Sequence, residues 1–233
     1  MRRPLINVAL IFSLVFAPSP PIYSSSSVAT FRFLSTTYIS GQVDLFIDGE
    51  KTISDVSNRK GSHYIKLTSG YHLIEVKRTH RDRETTLVSK SMEFNKFPST
   101  LVLFGNNQKL LDILRLDDQV NIEKGKTQLR LLHLLPRGSK LHLYIRGEKI
   151  IQAGTYKTPT EYAAIEPGDY PLEVRTGNHQ LVVSLPQVQL QPNSAYTLLF
   201  YDNKGKVGTT LLQDGGFIQA EHLLLKNPPE DWR

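Results

Sequence analysis

The sequence predicts an all-β protein: two tandem immunoglobulin-like antiparallel β-sandwich domains that follow a cleaved signal peptide. Three observations predict it. The chain of 233 residues carries one unit twice. Within each unit the apolar residues alternate with a period of two, as in a half-buried strand. The segments between turn residues are short, with no helical periodicity of useful length.

The chain opens on Met1-Arg2-Arg3-Pro4, and Leu5 to Ala17 are apolar apart from Asn7 and Ser13. That is a secretory signal pattern. A membrane-spanning helix needs about 20 apolar residues, and Pro18-Ser19-Pro20-Pro21 breaks this run first. The small-x-small pattern fits best at Ser27-Val28-Ala29, so residues 1–29 read as signal peptide and leader. The expected address is periplasmic or extracellular, with no transmembrane segment in the mature chain. There is no cysteine, hence no lipid anchor at a mature N-terminus and no disulfide. Each domain must then stand by apolar burial, which about 90 residues can supply. The formal charge of +6 falls to about +4 once Arg2 and Arg3 are removed, a mild excess that favours solubility and weak attraction to anionic surfaces. A nucleic-acid partner would need a basic stripe interleaved with aromatics, and none is expected.

The repeat appears when Phe31-Arg32-Phe33-Leu34 is placed over Leu129-Arg130-Leu131-Leu132. The shift of 98 (129 minus 31) then holds from Phe31 to Lys77 without a gap. Leu45-Phe46-Ile47-Asp48-Gly49 falls on Leu143-Tyr144-Ile145-Arg146-Gly147, and Tyr64 falls on Tyr162. With small gaps, Thr100–Phe104 matches Thr197–Tyr201. The repeat divides the chain into residues 30–118, a polar linker at 119–126, residues 127–214, and a C-terminal extension at 215–233. The linker is short, so the units should touch.

Val43, Leu45 and Ile47 are expected to face inward, with Asp44, Phe46 and Asp48 outward; Leu141, Leu143 and Ile145 repeat this against His142, Tyr144 and Arg146. Asp48-Gly49 is a strong hairpin signal because two-residue turns of the favoured hand need positive φ; Arg146-Gly147 is a weaker form. Further strands are predicted at Lys51–Ser54, Ser62–Leu67, Tyr71–Arg78, Thr85–Phe94, Thr100–Phe104 and Leu110–Leu116. In the second unit they fall at Lys149–Gln152, Thr160–Ile165, Tyr170–Arg175, His179–Val188, Tyr196–Tyr201 and Val207–Leu212. Seven or eight short strands per unit suit a two-sheet sandwich.

Arg32-Phe33-Leu34-Ser35, Val43-Asp44-Leu45-Phe46-Ile47-Asp48-Gly49, Gly70-Tyr71-His72-Leu73-Ile74-Glu75-Val76 and Glu166-Pro167-Gly168-Asp169-Tyr170-Pro171-Leu172-Glu173-Val174 form a recurring set. This set resembles the bacterial domain of unknown function 4397, over almost all of the mature chain. The resemblance implies an exported tandem sandwich with no established enzyme activity. The chain departs from the pattern where Asp44 and Asp48 become His142 and Arg146, and where Thr68-Ser69 precedes Gly70.

No catalytic, metal or cofactor site is predicted. Asp44 and Asp48 would lie about 13 Å apart at ~3.3 Å per residue, too far for a paired carboxylate or a shared calcium. His80-Arg81-Asp82-Arg83-Glu84 has the letters of a kinase catalytic loop without its companions and reads as a charged hairpin tip. The seven histidines show no metal spacing. Tyr64 and Tyr162 read as core or corner tyrosines whose hydroxyls bond backbone. Candidate ligand or partner contacts are Phe46 and Tyr144, matched outward aromatics expected to pack under a loop or between domains, and the basic stretch Lys77, Arg78, Arg81 and Arg83, suited to anionic glycan or lipid headgroups. The extension, with Phe217, Ile218, Leu223, Leu224 and Leu225, needs an apolar partner: its own sandwich, or the sheet edge of another protein. The expected function is non-catalytic binding or scaffolding in the cell envelope, toward a protein or surface glycan. Accessory work in exopolysaccharide modification comes second and a hydrolase third.

Overall fold

The computed structural model describes residues 27–37, 39, 41–80, 83–105, 110–118, 121–136, 139–215 and 222–224. Residues 1–26, which hold the expected signal sequence, and Arg81 of the hairpin tip lie outside them. The first repeat forms Val28–Ser35 (β1), Val43–Ile47 (β2), Glu50–Val56 (β3), Ile65–Thr68 (β4), Gly70–His80 (β5), Arg83–Phe94 (β6), Ser99–Phe104 (β7) and Asp112–Asp117 (β8). The second forms Thr127–Leu134 (β9), Leu141–Ile145 (β10), Glu148–Gly154 (β11), Ala163–Ile165 (β12), Gly168–Thr176 (β13), Leu181–Leu190 (β14), Ser194–Asn203 (β15) and Lys206–Asp214 (β16). Val28 and Ala29, assigned from sequence to the leader, open β1, pairing with Thr68 and Leu67; Ala29 is fully buried.

These strands make four sheets. Each repeat has an outer sheet, β3-β2-β5-β6 or β11-β10-β13-β14, and an inner sheet, β4-β1-β7-β8 or β12-β9-β15-β16. The turns follow the residues. Asp48 and Gly49 sit at φ 51° and 84°, and Arg146 and Gly147 at 51° and 82°, the pair of positive angles that a tight hairpin of the favoured hand requires. One expectation is corrected: the sheets are not wholly antiparallel. β1 runs parallel to β7, and β9 parallel to β15. Between β1 and β7 the chain passes through β2 and β3 of the outer sheet, β4 of the inner sheet, and β5 and β6 of the outer sheet again, so the two parallel strands are joined by a long crossover and not by a hairpin.

The C-terminal extension is described only at Gly215 and at His222–Leu224 (β17). Its backbone pairs antiparallel with β16, Thr209 opposite Leu223, which places this piece on its own repeat's sheet edge.

Each repeat has its own interior. Phe31, Phe33, Leu101 and Leu103 of the inner sheet meet Leu45, Ile47, Ile74, Val76 and Phe94 of the outer sheet in repeat 1. Leu129, Leu131, Leu198 and Phe200 meet Leu143, Ile145, Leu172 and Val174 in repeat 2. The alternate residues of the inner strands are also apolar, and they form a third cluster. Leu34, Val102, Phe104 and Leu116 from repeat 1 pack on Leu132, Leu134, Leu199, Tyr201 and Leu212 from repeat 2. The two inner sheets therefore lie face to face, and the protein is a stack of four layers. Continuous apolar runs such as Leu131-Leu132 and Leu101-Val102-Leu103 are what strands buried on both faces require. Among the described residues, no helix is long and apolar enough to cross a membrane.

Because the two interiors are separate, Leu45→Ala and Leu143→Ala, both at fully buried positions, should each cost about 2–5 kcal/mol and add to within about 0.5 kcal/mol in the double variant. Urea unfolding of the single and double variants measures this; strong non-additivity would mean one shared interior.

The interface between the repeats and the candidate binding faces

Arg32 and Arg130 stand in the middle of apolar strands, on the side that faces the other repeat. Both are buried, Arg32 completely, and each is bound in the same way. Arg32 Nε donates to Thr100 Oγ1 at 2.7 Å, and Arg130 Nε to Thr197 Oγ1 at 2.8 Å. Each threonine donates onward to an aspartate, Thr100 to Asp118 Oδ2 and Thr197 to Asp214 Oδ2. Each aspartate also accepts from a tyrosine: Tyr64 Oη to Asp118 at 2.5 Å, and Tyr162 Oη to Asp214 at 2.6 Å. The guanidiniums lie over the same tyrosine rings, at 4.9 and 4.6 Å.

The network then crosses between repeats reciprocally. Arg32 Nη1 donates to the Gln213 carbonyl and Arg130 Nη1 to the Asp117 carbonyl, both at 3.0 Å. Arg32 Nη2 lies 3.7 Å from Asp214, and Arg130 Nη2 lies 3.6 Å from Asp118. This is the arrangement of a two-fold dimer interface, in which residue i meets j and j meets i, built within one chain. Tyr64 also accepts from the Gly215 amide of the other repeat. The expectation that the two tyrosine hydroxyls bond backbone is corrected: they donate to buried carboxylates. The sequence signal for the network was a charge at one position of both apolar strands, Arg32 over Arg130.

Toward the other end of the inner strands, a cleft of about 290 Å³ opens between the repeats, lined by Phe104, Leu110, Asp112, Tyr156, Lys157 and Asp202 among others. Lys157 spans it, bonded to Asp112 at 2.7 Å and lying over the Phe104 ring.

The outward rows of the outer sheets hold the sequence-predicted contacts. On repeat 1, Phe46 stands between Lys51 and Glu75 across the strands, and Asp44 stands opposite Lys77. Phe46 is only 7% exposed. The sequence leads to the expectation of a loop or the other repeat over it; among the described residues Lys77 and Lys51 lie over it instead, with their ammonium groups 4.2 and 5.5 Å from its ring centre. Lys51 bonds Asp44 at 2.7 Å, and Lys77 lies within 4.0 Å of both Glu75 and Glu84. The basic stretch is thus neutralised by its own neighbours at Lys77; Arg78 is half-buried and Arg83 exposed. Repeat 2 builds the same rows, Lys149–Tyr144–Glu173 and His142–Arg175, with Tyr144 equally covered by Lys149 and Arg175.

Asp48 accepts from His72 Nδ1 at 2.6 Å and from the Leu73 amide. His72 Nε2 lies 2.9 Å from the Thr68 carbonyl and 3.4 Å from the Thr68 hydroxyl, so the ring is spent on structure and is not aimed at a nucleophile. In repeat 2 the same two positions hold Arg146 stacked on Tyr170 at 5.1 Å. Among the described residues there is no group of three or more His, Asp or Glu placed to hold a metal.

Burial, together with the facing Asp118 carboxylate, raises the Asp214 carboxyl above the usual range despite Arg130. Asp48 is held below that range by His72 and the Leu73 amide; Asp44, though partly desolvated, is held below it by Lys51 and the Asp55 amide. The signs oppose. A raised carboxyl keeps a proton that the unfolded chain has released, so its contribution falls as pH rises from about 4 through the folded value. A depressed one contributes above about 4 and is lost as pH falls below it. The urea midpoint should therefore drop on both sides of a maximum, and Asp214→Asn should remove the drop on the upper side while sparing the acid limb; an unchanged upper limb refutes the assignment. Arg32→Met, which leaves two buried carboxylates to share Arg130 alone, should cost about 3–5 kcal/mol by the same measurement.

Comparison with curated proteins finds no match. Among solved structures, the chain is similar at 10% identity to the crystal structure of CBMbc (family CBM26) from Eubacterium rectale Amy13K in complex with maltoheptaose. That likeness covers 88% of this chain and 100% of the other, with a TM-score of 0.26. The family described as Domain of unknown function (DUF4397) matches twice in tandem, over residues 29–144 and 127–220. The chain belongs to that family.

Proposed function

We propose that this protein is an exported, non-catalytic binding or scaffolding protein of the cell envelope, a pair of immunoglobulin-like sandwiches behind a cleaved signal peptide, recognising a surface glycan or an envelope protein. The observation that carries the reading is the reciprocal arginine–aspartate interlock. It consumes both inner sheets in holding the repeats together, and so turns two sandwiches into one rigid body with its outer sheets as the outermost layers. Each outer sheet carries its polar side chains in cross-strand rows. Such rows on a rigid support suit adhesion to an extended partner.

Two measurements test the reading. Cell fractionation should place a processed chain outside the cytoplasm, and the purified protein should be retained on an array of neutral and anionic glycans without altering them. A full-length chain confined to the cytoplasm, or release of a cleaved or modified glycan, overturns it; a silent array removes the glycan.

A further inference from the structure

The two outer faces have the same layout and opposite charge. On repeat 1, the outward positions Asp44, Asp48, Lys51, Glu75 and Lys77 set three carboxylates against two cations, a balance of −1. On repeat 2, the same positions are His142, Arg146, Lys149, Glu173 and Arg175, one carboxylate against three cations, a balance of +2 with the histidine neutral. Two replacements make the difference: Asp44 by His142, and Asp48 by Arg146. In repeat 1 those aspartates hold Lys51 at 2.7 Å and His72 at 2.6 Å. In repeat 2, Lys149 and Arg146 have no carboxylate partner among the described residues, and Lys140 at the foot of β10 adds a further exposed cation. Burial first, and then the nearby Lys149, His179 and Lys140, disfavour the charged form of His142.

We infer that the outward face of the second repeat's outer sheet, centred on His142, Arg146, Lys149 and Arg175, binds an anionic polysaccharide, and that the corresponding face of the first repeat does not. The inference rests on the binding reading above and names its ligand class. Charge complementarity selects a polyanion. The kind of polyanion follows from what lies among the cations. The Tyr144 ring is 8% exposed and roofed by Lys149 and Arg175, so it offers no open face for the base stacking that single-stranded nucleic acid uses. Glu173 sits in the same row, bonded to Arg175 at 2.7 Å, with the Tyr144 hydroxyl 3.4 Å from His179 Nδ1. An acceptor amid donors repels a ligand made of phosphates alone. It suits one that alternates carboxylate or sulfate groups with hydroxyl donors, as acidic sugars do.

The test uses the full chain, with polygalacturonate and dextran sulfate as probes, neutral dextran as control, and anionic vesicles and oligo-dT as competitors. Wild-type protein should bind both acidic polysaccharides, with an affinity that falls as salt rises. The double variant H142D/R146D, which installs the first repeat's own residues, should lose on the order of tenfold or more, because R146D turns a cation into an anion and H142D adds a second anion. The reciprocal D44H/D48R should gain a second binding equivalent. If H142D/R146D shifts the urea midpoint, Lys149→Glu replaces it, with the same loss expected. Equal binding by wild type and variants overturns the inference, as does stronger binding to vesicles or oligo-dT than to the polysaccharides. Retention of wild type on neutral glycans alone refutes this face while the binding reading stands; no retention on any glycan refutes this face and leaves that reading only its protein partner.

Discussion

The structure depends on the reciprocal pairing of Arg32 and Arg130 with Asp118 and Asp214. Two arginines and two aspartates are withdrawn from water between sheets that are otherwise apolar, and such a group is expensive unless every member is matched. Each guanidinium answers the requirement with one hydrogen bond inside its own repeat, one across to a carbonyl of the other, and a tyrosine ring below. The apolar cluster of Leu34, Val102, Leu132, Leu199 and Leu212 supplies attraction, but greasy surfaces slide. The arginines select one register, because a shift of the inner sheets along their strands would separate each from the opposite carbonyl and carboxylate and leave it only the aspartate of its own repeat. The network therefore acts as a key for docking more than as a source of stability.

That division of labour explains which positions agree between the repeats. Arg32 and Arg130, Tyr64 and Tyr162, Thr100 and Thr197, Asp118 and Asp214 are identical pairs, since a reciprocal interface fails if either half changes. The inward residues of the outer sheets agree in character because each fills a separate interior. The outward positions are released from both constraints. There Asp44 corresponds to His142 and Asp48 to Arg146, and their neighbour His72, whose ring meets Phe94, corresponds to Tyr170. The last two change together: an aspartate bonded to a histidine becomes an arginine stacked on a tyrosine. The cross-strand contact survives while its charge reverses.

Much of the fold was legible in the residues. The shift of 98 and the alternation of Val43, Leu45 and Ile47 located the repeats and the inward face of β2, and the two hairpin turns formed at Asp48-Gly49 and Arg146-Gly147. Less legible was everything that depends on which strands stack. Phe31-Arg32-Phe33-Leu34 reads as one buried face and one polar face, and only the docking of the inner sheets reveals that Arg32 and Leu34 are also buried. The parallel partnership of β1 with β7 comes from a crossover whose length is visible but whose destination is not. Covering of Phe46 by Lys77 was hidden for the same reason, since the lysine lies on a strand thirty-one positions further on (77 minus 46).

The placement of the candidate faces follows from the same geometry. At Lys77, one cation of the basic stretch in sequence is offset by Glu75 on its own strand and by Glu84 and Asp44 on the strands beside it. The excess of cations arises on the repeat whose linear sequence shows no such run, because Arg146 in the turn after β10, Lys149 on β11 and Arg175 on β13 come from separate elements of one sheet. Charge on a sheet is read across strands, about 4.8 Å apart, and not along them. Duplication then gives the second copy a freedom the first lacks. With the interlock fixing both repeats in one body, a change on the outer row of either alters what that face attracts and leaves the docking of the inner sheets untouched.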